Sequence, residues 1–142
     1  LTLATAESFT GGKIAELITT VPGASAYFLG SVVSYATVVK ENVLGVAPEL
    51  IEKHSVVSAE VAKEMAVSVK MMMKSDFAIA TTGNAGPTKG DSDADIGTVY
   101  IAIAGPEGVI AERFTMGNHR IRIVQKSVHK ALEMLRNAVV KM

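Results

Sequence analysis

Residues Ala4–Lys13 read ATAESFTGGK. An apolar run ends, and an acid, two hydroxyls and two glycines follow. Helical spacing then begins, with Ile14, Leu17, Ile18 and Val21 recurring on one face. A strand at Leu1–Ala6 that turns through glycine into a helix at Lys13–Val21 is the opening unit of an alternating α/β chain. Pro22–Gly23 stops that helix. Tyr27–Tyr35 (YFLGSVVSY), rich in β-branched and aromatic residues, predicts a second strand. Short helical turns are expected at Lys40–Leu44 and Pro48–Lys53. The clearest helix opens at Ser58, a capping hydroxyl, and carries Val61, Met65, Val69 and Met72 or Met73 as one stripe. Phe77–Thr81 reads as a short buried strand and Thr82–Gly97 as a polar loop. Thr98–Ala104 and Val109–Met116 are strands joined by the hairpin turn GPEG, Gly105–Gly108. A last helix presents Val124, Val128, Ala131, Leu135 and Val139. Alternation implies a layered α/β domain, and the hairpin makes its sheet mixed.

The 142 residues suit a single domain. Fourteen Lys and Arg balance fourteen Asp and Glu, so charge gives no reason to expect a nucleic-acid or membrane-surface partner. No cysteine is present, which excludes disulfides, thiolate metal sites and a cysteine nucleophile. With no apolar run of about 18 residues and no signal peptide, the expected location is cytoplasmic. The chain opens directly on a strand, so the domain is expected to extend upstream of Leu1.

Two readings fit Ser8. Either Ser8 or Thr10 caps the following helix, or Ser8 is a nucleophile whose oxyanion is held by free N–H groups at the helix start. A P-loop is excluded, because Glu7 and Ile14 stand where glycine and a hydroxyl are needed. A nucleophile elbow is excluded by Ala6 and Thr10 at its glycine positions. A serine nucleophile needs a base. His54, His119 and His129 are the only histidines, and His54 and His129 read as solvated. Lys40 remains, provided its pKa falls from about 10.4 to about 7–8 by burial, with Tyr35 available to relay or hold the proton. The alternative is a surface lysine beside a core tyrosine.

The loop Thr81–Gly97 follows a buried strand and is long for an unstructured connection, which favours a ligand site at the strand ends. Asp91, Asp93 and Asp95 alternate like the start of a calcium loop. Ile96 and Ala102 occupy the positions of the required glycine and glutamate, so a solvated acidic tip and no metal are expected. In GNHRIR (Gly117–Arg122), Arg120 or Arg122 can clamp a phosphate, or both are ordinary surface charge.

TAESFTGG, SYATVVK, TTGNAGP and IGTVYIAIAG together resemble the C-terminal domain of the competence/damage-inducible protein family (CinA), a domain also found alone as nicotinamide-nucleotide amidohydrolase. The resemblance covers essentially the whole chain, residues 1–142. It implies a three-layer α/β/α single domain with a mixed β-sheet. It also implies hydrolysis of the carboxamide of nicotinamide mononucleotide to nicotinate mononucleotide and ammonia, without a cofactor. The family's catalytic serine, tyrosine and lysine match Ser8, Tyr35 and Lys40. Substrate-binding positions match Thr10, Gly11, Gly12, Thr82, Gly83, Asn84 and Arg120. The expected partner is a small nucleotide substrate, with no nucleic acid or membrane, and assembly as a homo-oligomer is expected. The chain departs from the family at Phe9, where cysteine is common. It departs again in the acidic KGDSDAD, where glycines are common, and near Val124, where another arginine is common. A non-catalytic nucleotide-binding accessory domain, or an amidase for another small amide, are the competing functions.

Overall fold

The computed structural model describes residues 1–141. The elements run β1 (Leu3–Glu7), α1 (Lys13–Thr19), β2 (Phe28–Val33), α2 (Thr37–Asn42), α3 (Pro48–His54), α4 (Ala59–Met73), β3 (Phe77–Gly83), β4 (Thr98–Gly105), β5 (Gly108–Thr115) and α5 (Arg120–Val140). They form one mixed five-stranded sheet in the order β2-β1-β3-β4-β5. β1 pairs in parallel with β2 and β3, while β3–β4 and β4–β5 are antiparallel. The hairpin therefore makes the sheet mixed, and the two residues between Gly105 and Gly108 close it.

Side-chain alternation along the strands builds two different faces. One face is an alanine carpet of Ala4, Ala6, Ala78, Ala80, Ala102 and Ala104, and α4 lies on it through Val61, Met65 and Val69. Small residues let the helix approach closely while still excluding water. Burying each of those three side chains contributes about 1.5–3 kcal/mol. The other face carries Leu3, Ile79, Ile101 and Ile103, covered by Ile14 and Ile18 of α1 and by Ile123, Val124 and Val128 of α5. These are the three layers. α4 begins at Ser58, whose hydroxyl accepts from the Val61 amide at 3.2 Å. No described helix is long and apolar enough to cross a membrane.

Several boundaries differ from the sequence reading. α1 stops at Thr19 with Leu17 and Val21 exposed, because only Ile14 and Ile18 face the sheet. β2 ends at Val33, which leaves Tyr35 outside the strand. α2 begins at Thr37, so Lys40 lies within a helix and not at its start. β3 extends to Gly83, where pairing with Val99 continues the ladder.

The connections leave β1 in opposite directions. α1 leads outward to β2 on one side, and the chain then returns through α4 to β3 on the other. The carboxyl ends of β2, β1 and β3 thus meet at a topological switch point, where open α/β sheets place their ligands.

Candidate active site

Ser8 is the first residue after β1, and its position is set by a buried polar network. Glu7 is fully buried, and its carboxylate accepts from the amides of Ile14 (2.9 Å) and Ala15 (3.0 Å) in the first turn of α1. It also accepts from the Thr10 hydroxyl at 2.8 Å. The Thr10 hydroxyl shares a 2.9 Å hydrogen bond with that of Thr81, and the Ser8 amide donates to the Thr81 hydroxyl at 3.3 Å. Glu7 therefore caps α1, and neither Ser8 nor Thr10 does. Gly11 and Gly12 hold positive φ of 62° and 95°, which permits the reversal into the helix without a Cβ penalty.

This corrects one expectation. The helix-start amides are not free to hold an oxyanion, because those of Ile14 and Ala15 bind Glu7, while those of Lys13 and Glu16 bind Thr10 and Gly12 carbonyls. A buried carboxylate with ionic acceptors outcompetes a transient ligand there. The amides of Phe9 and Thr10, directly after the serine, have no partner among the described residues.

Lys40 is 2% exposed. Its Nζ lies 2.8 Å from Ser8 Oγ, 2.7 Å from the Ser34 carbonyl and 3.3 Å from the Tyr35 carbonyl. Burial lowers its pKa from 10.5 to about 8, and the charge of Asp91 opposes that shift. The three acceptors match an ammonium's three protons. A neutral amine keeps two N–H bonds for the two carbonyls and turns its lone pair to the serine hydroxyl. Both protonation states thus fit one geometry, and the neutral one has a base aimed at Ser8.

Ser8 and Lys40 border a cavity of about 380 Å³, together with Tyr35, Thr82, Gly83, Asn84, Asp91 and Arg120. Tyr35 is 61% exposed, and Arg120 donates to its hydroxyl at 3.0 Å. What Tyr35 offers Lys40 is its carbonyl. Among the described residues its hydroxyl makes no hydrogen bond to Lys40 or Ser8, so no proton relay through it is built into this geometry. Arg120 opens α5 and also donates to the Gly86 carbonyl, while Arg122 does not border the cavity. The Thr82 hydroxyl donates to the Val56 carbonyl at 2.8 Å. Asn84 donates to the Ala94 carbonyl at 2.6 Å and braces the loop. A Cβ on Gly83 would come within 2.7 Å of Val99 and 3.0 Å of the Phe9 ring, so packing demands glycine there. Thr10, Gly11 and Gly12 border a neighbouring cavity, beyond the Tyr35–Arg120 bridge, and not this one. No histidine borders the Ser8 cavity.

Sequence reasoning missed Thr81, Ser34 and Thr37, and assigned Asp91 to a solvated tip. Asp91 is exposed, as that reading has it, and it also borders the cavity and accepts from the Thr37 hydroxyl at 2.8 Å. The pair of threonines, Thr81 and Thr82, at the end of the otherwise apolar β3 was the available signal for Thr81. Nothing local marks a carboxylate 51 residues beyond Lys40.

A family model described as CinA C-terminal domain matches residues 1–139. A CinA-like protein of Flavobacterium psychrophilum is 55% identical over 141 residues, 99% of this chain and 34% of that protein. This chain spans about a third of the length of the curated relatives it matches. Among solved structures, the competence/damage inducible protein CihA from Agrobacterium tumefaciens superposes with a TM-score of 0.92 at 35% identity, covering 96% of this chain and 84% of that one. A CinA superfamily protein from Klebsiella pneumoniae gives 0.94 at 30% identity, covering 99% and 88%.

Proposed function

The chain belongs to the CinA C-terminal domain family, and from that premise we propose that it is a serine–lysine amidohydrolase that converts nicotinamide mononucleotide to nicotinate mononucleotide and ammonia. The observation that carries this reading is the 2.8 Å contact between Ser8 Oγ and the buried Nζ of Lys40. Lys40, neutral, takes the hydroxyl proton as Ser8 Oγ forms a bond to the carboxamide carbon. Charge develops on the carboxamide oxygen. The Phe9 amide, directly after the serine on the cavity wall, is the donor left to meet it, worth about 2.7–4 kcal/mol in such a role. The Lys40 ammonium then returns the proton to the departing nitrogen, the C–N bond breaks, and ammonia leaves an acyl-serine ester. Water, deprotonated by the same lysine, cleaves the ester and regenerates Ser8.

Arg120 supports the nucleotide half of the assignment. Its guanidinium stands at the cavity rim with only a carbonyl and a phenol as partners, and a phosphate is the stronger acceptor for its fork. The competing reading, a non-catalytic nucleotide-binding domain of a longer protein, leaves the buried Ser8–Lys40 pair without a role.

The test is release of ammonia from nicotinamide mononucleotide. Wild type is expected to turn over, and Ser8→Ala is expected to fold and to bind the nucleotide without releasing ammonia. A folded Ser8→Ala protein that retains the wild-type rate refutes the serine mechanism. Tight binding with no release by wild type selects the binding domain.

A further inference from the structure

The acidic run Asp91–Asp95 takes no part in the reaction scheme, yet its first carboxylate borders the reaction cavity. Asp91 is held by the Thr37 hydroxyl, and Thr37 lies three residues before Lys40 on α2, one helical turn away. The loop carboxylate is therefore tied to the short helix that carries the base. Asp91 has no ion-pair partner among the described residues, and Lys89, which also borders the cavity, pairs with Asp95 at 3.8 Å. Arg120, on the same cavity, also lacks a carboxylate partner among the described residues.

Resting on the amidohydrolase reading, we propose that Asp91 is a specificity residue that selects amides attached to a cationic ring, the N-alkylated pyridinium class, over neutral amides of the same shape. Among the described residues the cavity lining carries one carboxylate, Asp91, and three cations: Lys40, which acts in its neutral form, Lys89, which pairs with Asp95, and Arg120, so the charges left for a ligand suit a positive ring and an anionic tail. The Lys40 chemistry makes the requirement sharper. The lysine acts in its neutral form, and in that form Asp91 loses the positive charge it feels at rest. A cationic ring restores the balance, and a neutral ring leaves the carboxylate without a counter-charge across the cavity.

The probes are nicotinamide mononucleotide and its 1,4-dihydro form, which keeps the ribose, phosphate and carboxamide but has a neutral ring. Binding of each is measured by calorimetry on the Ser8→Ala chain, at a pH above the Lys40 value of about 8. The oxidised ligand is expected to bind about tenfold tighter or more. Asp91→Asn keeps an oxygen to accept from Thr37 and removes only the charge. It is expected to bring the two affinities within about twofold, by weakening the oxidised ligand alone. An unchanged ratio in Asp91→Asn, equal weakening of both ligands, or binding of neither overturns the proposal. Ammonia release by the wild-type chain is measured alongside. Charge-selective binding without release removes the hydrolase reading while leaving the selectivity of Asp91 standing.

Discussion

The turn at Ser8 and the loop from Asn84 to Gly97 border one cavity but are held in different ways. In the turn, the carboxylate of Glu7 and the hydroxyls of Thr10 and Thr81 are buried and bonded to one another or to α1. Half of the loop's residues are exposed, and it is pinned at separate points, by Asn84 to Ala94, by Ser92 to Ser55 and by Asp91 to Thr37. A buried network loses much when one member is removed, whereas a pinned loop loses one tie at a time. Under the proposed amidohydrolase reading, bond-making falls to the rigid turn and ligand choice to the adjustable loop. Substitutions in the turn are expected to lower kcat, and those on the loop side to raise KM.

Lys40 is expected to show the largest effect on the rigid side. Lys40→Met is expected to lower the single-turnover rate by about 10²-fold or more while ligand still binds, and Lys40→Arg is expected not to restore it, since guanidinium does not deprotonate. In wild type, kcat is expected to rise with pH and level off above about 8. The folded pKa of about 8 lies below the unfolded value of 10.5, so the unfolded chain holds the proton more firmly and stability is gained as pH rises between the two. That gain is expected to vanish in Lys40→Met, measured by denaturant titration at several pH values. Full activity in Lys40→Arg would make the lysine a fixed charge and break the comparison at its centre.

Glu7 sharpens it next. Glu7→Ala leaves two α1 amides and the Thr10 hydroxyl without their acceptor, at about 1–3 kcal/mol for each buried group left unpaired, so a loss of about 3 kcal/mol or more is expected. Glu7→Gln keeps one oxygen and is expected to fold, with kcat down by about tenfold and KM nearly unchanged. Near wild-type stability in Glu7→Ala would show that the turn does not depend on this network.

Arg120 probes the recognition side, with the smallest expected change. Arg120→Ala is expected to raise KM for nicotinamide mononucleotide about tenfold more than for nicotinamide riboside, which lacks the phosphate. Equal losses on both substrates would assign Arg120 to bracing Tyr35 and Gly86 instead.

Much of this architecture was legible because it rests on local periodicity. The β1 turn into α1, the Ser58 cap of α4, the GPEG hairpin and the apolar stripe of α5 each follow from residues a few positions apart. Ser8 and Lys40 were legible as chemistry, by the exclusion of cysteine and of the histidines and by the resemblance of four motifs. The tertiary structure decided the rest, because strand order brings distant hydroxyls, carbonyls and carboxylates together. It placed Lys40 against Ser8 across 32 positions, through the pairing of β2 beside β1. It gave the cap of α1 to Glu7 by burying that carboxylate under the helix, and it set Tyr35 toward Arg120 by ending β2 two residues early. It also brought Asp91 from an acidic run to the cavity wall, since a single hydroxyl on α2 was in reach to hold it. Local sequence determines which elements form and which groups can react. Partners distant in the chain decide which of those groups are buried, oriented and charged, because desolvation and hydrogen bonding depend on what packs against them.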